Sequence, residues 1–163
     1  MVKMAELRGM LSSIGLEHPE TLLQSGNVVF HCEHHSCAEL QELLQSEASK
    51  KLSLNVSILV RTAEEWAEVI KDNPFTEGAK NDPSHLLVHF LGSVPLAYDV
   101  DRVQAAIKGP ERIHAGHRHL YVLYPDGIGT STIGRTPGWN RLTSEGTARN
   151  WNTILKLEAM LRE

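Results

Sequence analysis

One stretch of the chain decides the fold: Leu86-Leu87-Val88-His89-Phe90-Leu91. Apart from His89 it is apolar, and a short run that is apolar on both faces is typical of a strand in the middle of a sheet. Downstream, the pattern predicts a helix over about 100–107 and a hairpin of residues 112–115 and 117–124. The second half is therefore expected to place helices on an antiparallel sheet.

The first half has the same alternation of helices and strands. Its pattern predicts a helix over 3–14, a hairpin of 21–24 and 27–31 around Ser25-Gly26, a helix over 37–52, a strand over 56–60 and a helix after Thr62. Residues 76–84 are rich in Gly, Asn, Asp and Pro, which favours a linker. We therefore predict an N-terminal subdomain over 1–75, a linker over 76–84 and a C-terminal subdomain over 85–163, both α+β.

Composition excludes several classes of protein. With 41% hydrophobic and 22% charged positions among 163 residues, the chain lies in the range of ordinary globular domains rather than disordered ones. Its net charge of -4 gives no overall positive field for non-specific binding of nucleic acid. No run approaches ~18 apolar residues and no secretory signal is visible. We expect a cytoplasmic protein with no membrane segment, whose Cys32 and Cys37 are reduced.

A polar stretch near the C-terminus is the first candidate for binding. It reads Thr147-Ala148-Arg149-Asn150-Trp151-Asn152-Thr153, and it predicts the start of a last helix over about 148–162. A helix start offers free N–H groups and a positive dipole end, so Thr147, Arg149, Asn150 and Asn152 are candidates for holding an anion. The alternative is that Thr147 and Asn150 satisfy backbone groups while Trp151 packs in the core.

A glycine-bearing turn is the second candidate. Asp126, Gly127 and Gly129 follow a predicted strand, and glycines let backbone N–H groups approach a ligand. No lysine follows at the spacing of a phosphate-binding loop, and Asp before Gly is a common turn former. We expect the turn and the helix start to converge on one pocket, unless both are only structural.

Four ordered segments of the chain resemble a known family. They are Val2-Lys3-Met4-Ala5-Glu6-Leu7-Arg8, Gln24-Ser25-Gly26-Asn27-Val28-Val29-Phe30, Tyr124-Pro125-Asp126-Gly127-Ile128-Gly129 and Thr147-Ala148-Arg149-Asn150-Trp151-Asn152-Thr153. Together they resemble the bacterial family of domain of unknown function 1697 (DUF1697) over essentially the whole chain. The resemblance implies an α+β fold of two ferredoxin-like subdomains, and it implies no activity.

The chain departs from that family in two segments. The strand and turn that usually precede the first helix are absent, so we expect the N-terminal half to lack its first strand, through a truncated gene model or because a second chain supplies it. Strand edges left without a partner predict self-association. Between Gly129 and Gly146, the usual helical segment is replaced by sequence containing Thr, Gly and Trp.

For two further clusters that contain histidines, we expect no binding function. The run His31-Cys32-Glu33-His34-His35-Ser36-Cys37 fits no zinc spacing, so we expect a solvated loop and no metal. His117, His119 and Tyr121 alternate on one face of the second hairpin, and an exposed face of that kind can bind RNA. No RNA-binding consensus is present, so we expect a solvated hairpin without that function.

Three functions stay open at this point. One is a binding module for a phosphate-bearing ligand or nucleic acid, another an enzyme of unknown reaction with a site between the halves, and the third a scaffold for other proteins. No cofactor is predicted. Binding is favoured because the recognisable motifs are rich in Gly, Asn and Arg and poor in paired acids and bases.

Overall fold

The computed structural model describes residues 3–22 and 26–163. The chain divides into two compact units, one of Met1–Ala63 with Leu157–Glu163 and one of Glu64–Lys156. Helices and antiparallel sheets make up the structure, which confirms the predicted α+β class. No helix in these described ranges is both long enough and apolar enough to cross a membrane.

The first unit combines two helices with a two-stranded sheet. Its elements are α1 (Met4–Ser13), β1 (Glu17–Leu22), β2 (Asn27–His31) and α2 (Cys37–Leu52). The predicted helices and the antiparallel pairing of the hairpin are confirmed, but β1 begins at Glu17 and not at the predicted Thr21. Gln24 and Ser25 of the predicted turn lie outside the described residues. α2 begins with a capping box between Ser36 and Glu39, which satisfies two backbone donors at its start. The apolar side chains of this core are Met10, Leu11, Leu16, Leu40, Leu44, Ala48 and Val60.

The strand predicted over 56–60 is wrong. The segment pairs with no strand among the described residues. Instead, the backbone N–H groups of Ile58 and Val60 donate to the side-chain Oε1 atoms of Gln45 and Gln41, at 3.0 and 2.9 Å. The two glutamines lie four residues apart on one face of α2, so they meet alternate N–H groups of the segment.

The second unit is built around a four-stranded sheet. The elements from residue 63 onward are α3 (Ala63–Lys71), α4 (Thr76–Asn81), β3 (Leu86–Phe90), α5 (Ala97–Ala106), β4 (Arg112–Ala115), β5 (His119–Leu123), α6 (Trp139–Thr143), β6 (Thr147–Asn150) and α7 (Trp151–Leu161). The strand order is β4-β5-β3-β6, and all neighbours are antiparallel. β3 is an interior strand, as its apolar sequence predicts.

One face of this sheet packs against α5 and α6. The cluster includes Leu87, Leu120 and Val122 from the strands, Val103 from α5 and Trp139 from α6. Because successive residues of a strand point to opposite faces, the alternate positions of β3 and β5 supply this layer. Apolar side chains of the sheet and of the two helices meet in this layer, which forms a hydrophobic core of the unit.

The opposite face is covered as well, by α3. Trp66 stacks on Phe90 with ring centroids 4.9 Å apart, and the Tyr121 hydroxyl donates to the carbonyl oxygen of Val69 at 2.7 Å. His119 and Tyr121 are both buried. The expectation of a solvated hairpin is therefore wrong for this face, since α3 occupies it, and the face is not open to RNA either.

Two segments of the second half differ from their predicted form. Residues 76–84, predicted as a linker, form α4 and the start of a 3-10 turn, Pro83–His85. The helix predicted to begin at Ala148 begins at Trp151, because residues 147–150 pair with β3 as β6. The subdomain boundary and the ferredoxin-like assignment remain predictions.

Candidate functional site

The glycine-bearing turn and the start of α7 lie at the same end of the second sheet. Asn150 is the register partner of Leu87 at the start of β3. On the other side of β3, the backbone N–H of Tyr124 donates to the carbonyl oxygen of His85 at 2.8 Å. The two predicted segments are thus separated by one strand, or roughly 10 Å across two strand spacings.

Hydrogen bonds within the turn itself hold its shape. The N–H of Gly127 donates to the carbonyl oxygen of Tyr124 at 2.9 Å, and the Thr130 hydroxyl donates to the carbonyl oxygen of Asp126 at 2.8 Å. Gly127 has a φ of +84°, a conformation that favours glycine. The Asp126 side chain is exposed, and Gly129 has no neighbour within 4 Å of an ideal Cβ position.

Asn150 acts as the cap of α7. Its Oδ1 accepts from both the N–H and the hydroxyl of Thr153, at 3.0 and 3.1 Å. That geometry satisfies one free donor of the first helical turn. Asn152 is exposed in that turn. The cap explains why the helix begins at Trp151, and it uses the amide oxygen that was a candidate ligand.

Arg149 turns back along β6. Its Nη1 donates to the hydroxyl of Thr147 at 2.6 Å and to the carbonyl oxygen of Ala148 at 2.8 Å. Burial lowers the pKa of this guanidinium. Thr147 lies opposite Phe90, at the end of β6 away from the turn. The structure therefore brings Asp126, Gly127, Gly129, Asn150 and Asn152 to one end of the sheet and directs Arg149 and Thr147 away from it.

A cavity of about 300 Å³ opens at the other end of β3. The turn from β3 to α5, the α5 helix and the segment around α6 form its walls. Its lining residues are Leu91, Gly92, Ser93, Val94, Pro95, Leu96, Asp99, Arg102, Val103, Pro137, Gly138, Arg141, Leu142, Ser144, Glu145 and Gly146. This volume is at the lower limit of the range, about 300–1,000 Å³, that is usual for small-molecule pockets.

Each wall of the cavity holds one basic and one acidic side chain. Asp99 and Arg102 lie three residues apart on α5, while Arg141 and Glu145 belong to α6 and the residues after it. The side chains of Asp99, Arg141 and Glu145 form no hydrogen bond or ion pair with another described residue. Arg102 lies over the Tyr98 ring, with its guanidinium carbon 5.5 Å from the ring centroid. Asp99, Arg141 and Glu145 are therefore not used by the fold, whereas Arg102 contacts Tyr98.

Two glycines shape this cavity. Gly138 precedes α6 with a φ of +87°, and an ideal Cβ there would be 3.1 Å from a methyl group of Val103. At Gly146, an ideal Cβ would be 2.6 Å from the carbonyl oxygen of Phe90. The backbone of the α6 segment can approach β3 and α5 this closely only because both positions lack a side chain.

A neutral polar pair lies beneath α6. The ring of His89 meets Trp139 edge to face with centroids 5.2 Å apart, and its Nε2 is 3.4 Å from the Tyr124 hydroxyl. Burial lowers the pKa of His89 to about 4. Burial, and then the charge of Glu111, raises the pKa of Tyr124 to about 12. At neutral pH this pair supports α6 without adding charge near the cavity.

Glu111 anchors the segment that leads to α6. Its Oε1 accepts from the Ser131 hydroxyl, and Ser131 Oγ accepts in turn from the N–H of Ile133 at 3.2 Å. Glu111 is buried, and its Oε2 has no hydrogen-bond partner among the residues that the structure describes. The carboxylate thus holds the loop from inside the unit.

No group of three or more His, Cys, Asp or Glu side chains is placed to hold a metal ion within residues 3–22 and 26–163. Neither Cys32 nor Cys37 is part of a disulfide. The cavity has arginine, carboxylate, hydroxyl and apolar groups, which bind anions and polar organic molecules rather than transition metals.

Sequence reasoning missed the cavity. The spacing of Asp99 and Arg102 is visible in a predicted helix, but many surface helices pair charges in this way. Arg141 and Glu145 lie in a segment without hydrophobic periodicity. The available signal was the pair of glycines at 138 and 146 around two charged residues, which is not specific enough to identify a pocket.

Comparison with known proteins gives a family and a fold. A family model described as "Protein of unknown function (DUF1697)" matches residues 1–121, which confirms the family resemblance. The segments that begin at Tyr124 and Thr147 lie beyond the matched residues. The structure of conserved bacterial protein SP0830 from Streptococcus pneumoniae is similar with a TM-score of 0.73 and 22% identity, over 100% of this chain and 91% of that chain. No curated protein matches the sequence. At this identity, the structural likeness shows the fold alone.

Proposed function

The chain belongs to the DUF1697 family of proteins of unknown function, and we propose that it is a binding module for a phosphate-bearing small molecule. The ligand occupies the cavity between α5 and α6, with its phosphate held by Arg102 and Arg141. One observation supports this: two guanidinium groups without an acidic partner line the same cavity.

Unpaired arginines in one concave site favour a phosphate for a chemical reason. A guanidinium presents several N–H donors in a planar fork that matches phosphate oxygens, and it stays charged at any physiological pH. The stacking of Arg102 on Tyr98 restrains that side chain before a ligand arrives. Less side-chain entropy is then lost on binding.

The same cavity favours a small molecule over a nucleic acid. Its two arginines are balanced by Asp99 and Glu145, so the site has no excess positive charge. Binding of a nucleic acid backbone depends on a surface that neutralises several phosphates in succession. A single cavity with one pair of arginines instead matches a ligand with one phosphate group.

The test is calorimetric titration with inorganic phosphate, phenyl phosphate and ribose 5-phosphate. Arg141→Gln removes one guanidinium that makes no bond in the fold, and Arg135→Gln makes the same change of charge at an exposed arginine outside the cavity. We expect Arg141→Gln to weaken binding by about 10- to 100-fold, the value of a charge-assisted hydrogen bond, and Arg135→Gln to leave it unchanged.

Either of two results would overturn the proposed function. One is that none of the three phosphate compounds binds the native protein at millimolar concentration. The other is that Arg141→Gln and Arg135→Gln bind them as tightly as the native protein. Equal melting temperatures of the three proteins show that the comparison reports binding and not folding.

We also propose that the protein self-associates through the free edge of the extended segment 56–60 in the first unit. Gln41 and Gln45 occupy the N–H groups of Ile58 and Val60, while the N–H groups of the intervening Leu59 and of other alternate residues face the opposite edge. An extended segment with one edge satisfied and no strand beside it is a template for pairing with another chain.

Light scattering across a range of protein concentrations tests the self-association. Ser57→Pro removes one N–H from the opposite edge at an exposed position, so it is expected to shift the protein towards monomer. A native protein that stays monomeric at the highest concentration would contradict this part of the proposal.

A further inference from the structure

Besides the arginines, the cavity is lined by carboxylates and apolar side chains that a phosphate group alone does not require. These additional groups indicate a class of ligand. Resting on the proposed function, we infer that the ligand is a nucleoside phosphate: a phosphate joined to a sugar with free hydroxyls and a flat aromatic base. The three parts of such a molecule match three kinds of lining that occur together here. These parts of the lining are the guanidinium groups, the carboxylates and an exposed apolar lip formed by Val94, Pro95 and Leu96.

The carboxylates are the first sign that phosphate is only one part of the ligand. Asp99 and Glu145 line the same cavity as the two arginines and form no bond with another described residue. The Glu145 carboxylate reaches the turn after β3, where its Oε2 is 3.7 Å from an ideal Cβ position on Gly92. For a bare phosphate these negative groups are unfavourable, because like charges repel in a partly enclosed site.

A ligand that also donates hydrogen bonds reverses that penalty. Ionised carboxylates only accept hydrogen bonds, and sugar hydroxyls are the donors that acidic side chains bind in nucleotide sites of other folds. Each wall of the cavity has one arginine and one carboxylate that form no ion pair with each other, Arg102 and Asp99 on one wall and Arg141 and Glu145 on the other. Phosphate and hydroxyl groups can therefore be bound side by side.

The apolar lip accounts for the base. Val94, Pro95 and Leu96 line the mouth of the cavity, and Val94 and Leu96 are 52% and 67% exposed. Large apolar side chains exposed together are unusual on a protein surface unless they meet a partner. A flat aromatic ring that covers them removes apolar area from water and leaves its polar edge accessible.

Calorimetric titration with adenosine 5'-monophosphate, ribose 5-phosphate, adenosine and inorganic phosphate separates the three contributions. We expect the nucleotide to bind about 10-fold or more tightly than ribose 5-phosphate, because the base buries apolar area that the sugar phosphate does not reach. Leu96→Ser is expected to reduce this advantage several-fold. Ile128→Ser, a matched change at another exposed residue outside the cavity, leaves it unchanged.

Glu145→Gln gives the sharpest readout because it should lower the affinity for the nucleotide without lowering the affinity for inorganic phosphate. Removing the negative charge is expected to leave the affinity for inorganic phosphate equal or higher, while the affinity for the nucleotide falls by about 5- to 10-fold with the loss of a charge-assisted hydrogen bond. If the Glu145 carboxylate made no contact with the nucleotide, its replacement could not lower the affinity for the nucleotide alone.

The outcomes distinguish the inference from the function on which it rests. Suppose that phosphate compounds bind in an Arg141-dependent way. If the nucleotide then binds no tighter than ribose 5-phosphate, or if Glu145→Gln raises the affinity for both the nucleotide and inorganic phosphate, the nucleotide assignment is overturned and the phosphate site stands. If the nucleotide binds while Arg141→Gln has no effect, or no phosphate compound binds, the proposed function falls and takes the inference with it.

Discussion

Replacement of His89 by glutamine should remove part of the acid sensitivity of the second unit. The folded protein keeps this imidazole neutral until about pH 4, whereas its ordinary value is 6.5, and the cause is burial. Between these values the unfolded chain binds the proton more readily, so the free energy of unfolding falls as the pH falls. Above pH 6.5 both states are neutral and His89 gives no pH dependence.

The size of the effect follows from the two pKa values. Between pH 7.5 and pH 5.0 the linkage amounts to about 2 kcal/mol, since each pKa unit corresponds to about 1.4 kcal/mol and roughly one and a half units of the window are used. The Tyr124 hydroxyl, 3.4 Å from Nε2, can bond a glutamine amide in place of the ring. His89→Gln therefore tests the charge with the smallest change of contact.

Urea unfolding at the two pH values measures this difference. All three tryptophans, Trp66, Trp139 and Trp151, belong to the second unit, so tryptophan fluorescence follows that unit selectively. We expect the native protein to lose about 2 kcal/mol more than His89→Gln on acidification. His117→Gln, at an exposed histidine of the same unit, is the control and should behave like the native protein. If His89→Gln loses as much stability as the native protein, burial of a neutral imidazole is the wrong explanation.

The remaining predictions concern the polar helix start and the cavity wall. Asn150→Ala should cost about 1 kcal/mol by removing the cap of α7, whereas Asn152→Ala at an exposed position should stay within about 0.5 kcal/mol; equal losses in urea unfolding would refute the cap. Gly146→Ala should cost about 1–3 kcal/mol because its Cβ would be 2.6 Å from the carbonyl oxygen of Phe90, while Gly134→Ala meets no atom within 4 Å. A Gly146→Ala protein as stable as Gly134→Ala would show that the wall yields without strain.

Local pattern predicted much of the fold because the elements concerned follow local rules. The run Leu86–Leu91 indicated an interior strand, and β3 is one, since burial on both faces leaves little choice of side chain. The segment 56–60 also has strand periodicity, but it pairs with glutamine side chains of α2. Alternation reports which face of an extended chain is buried, and it does not report what the backbone is bonded to.

The site was harder to predict because its residues meet only through tertiary structure. Asn150 was recognised as a polar group at a helix start, and the structure shows it as the cap, with its side-chain oxygen used within α7. Arg102 and Arg141 are far apart in the chain and have no motif around them. They share a cavity only because α5 and α6 pack on the same face of the sheet.

The central claim, that two unpaired arginines bind a phosphate together, is tested most directly by nuclear magnetic resonance of the arginine side chains. Inorganic phosphate is titrated into the native protein, and the Nε–Hε signals are assigned by substitution. The account predicts that the signals of Arg102 and Arg141 shift together along one saturable curve while that of Arg135 stays in place. Signals of Arg102 and Arg141 that do not move, or that move no more than that of Arg135, would contradict it.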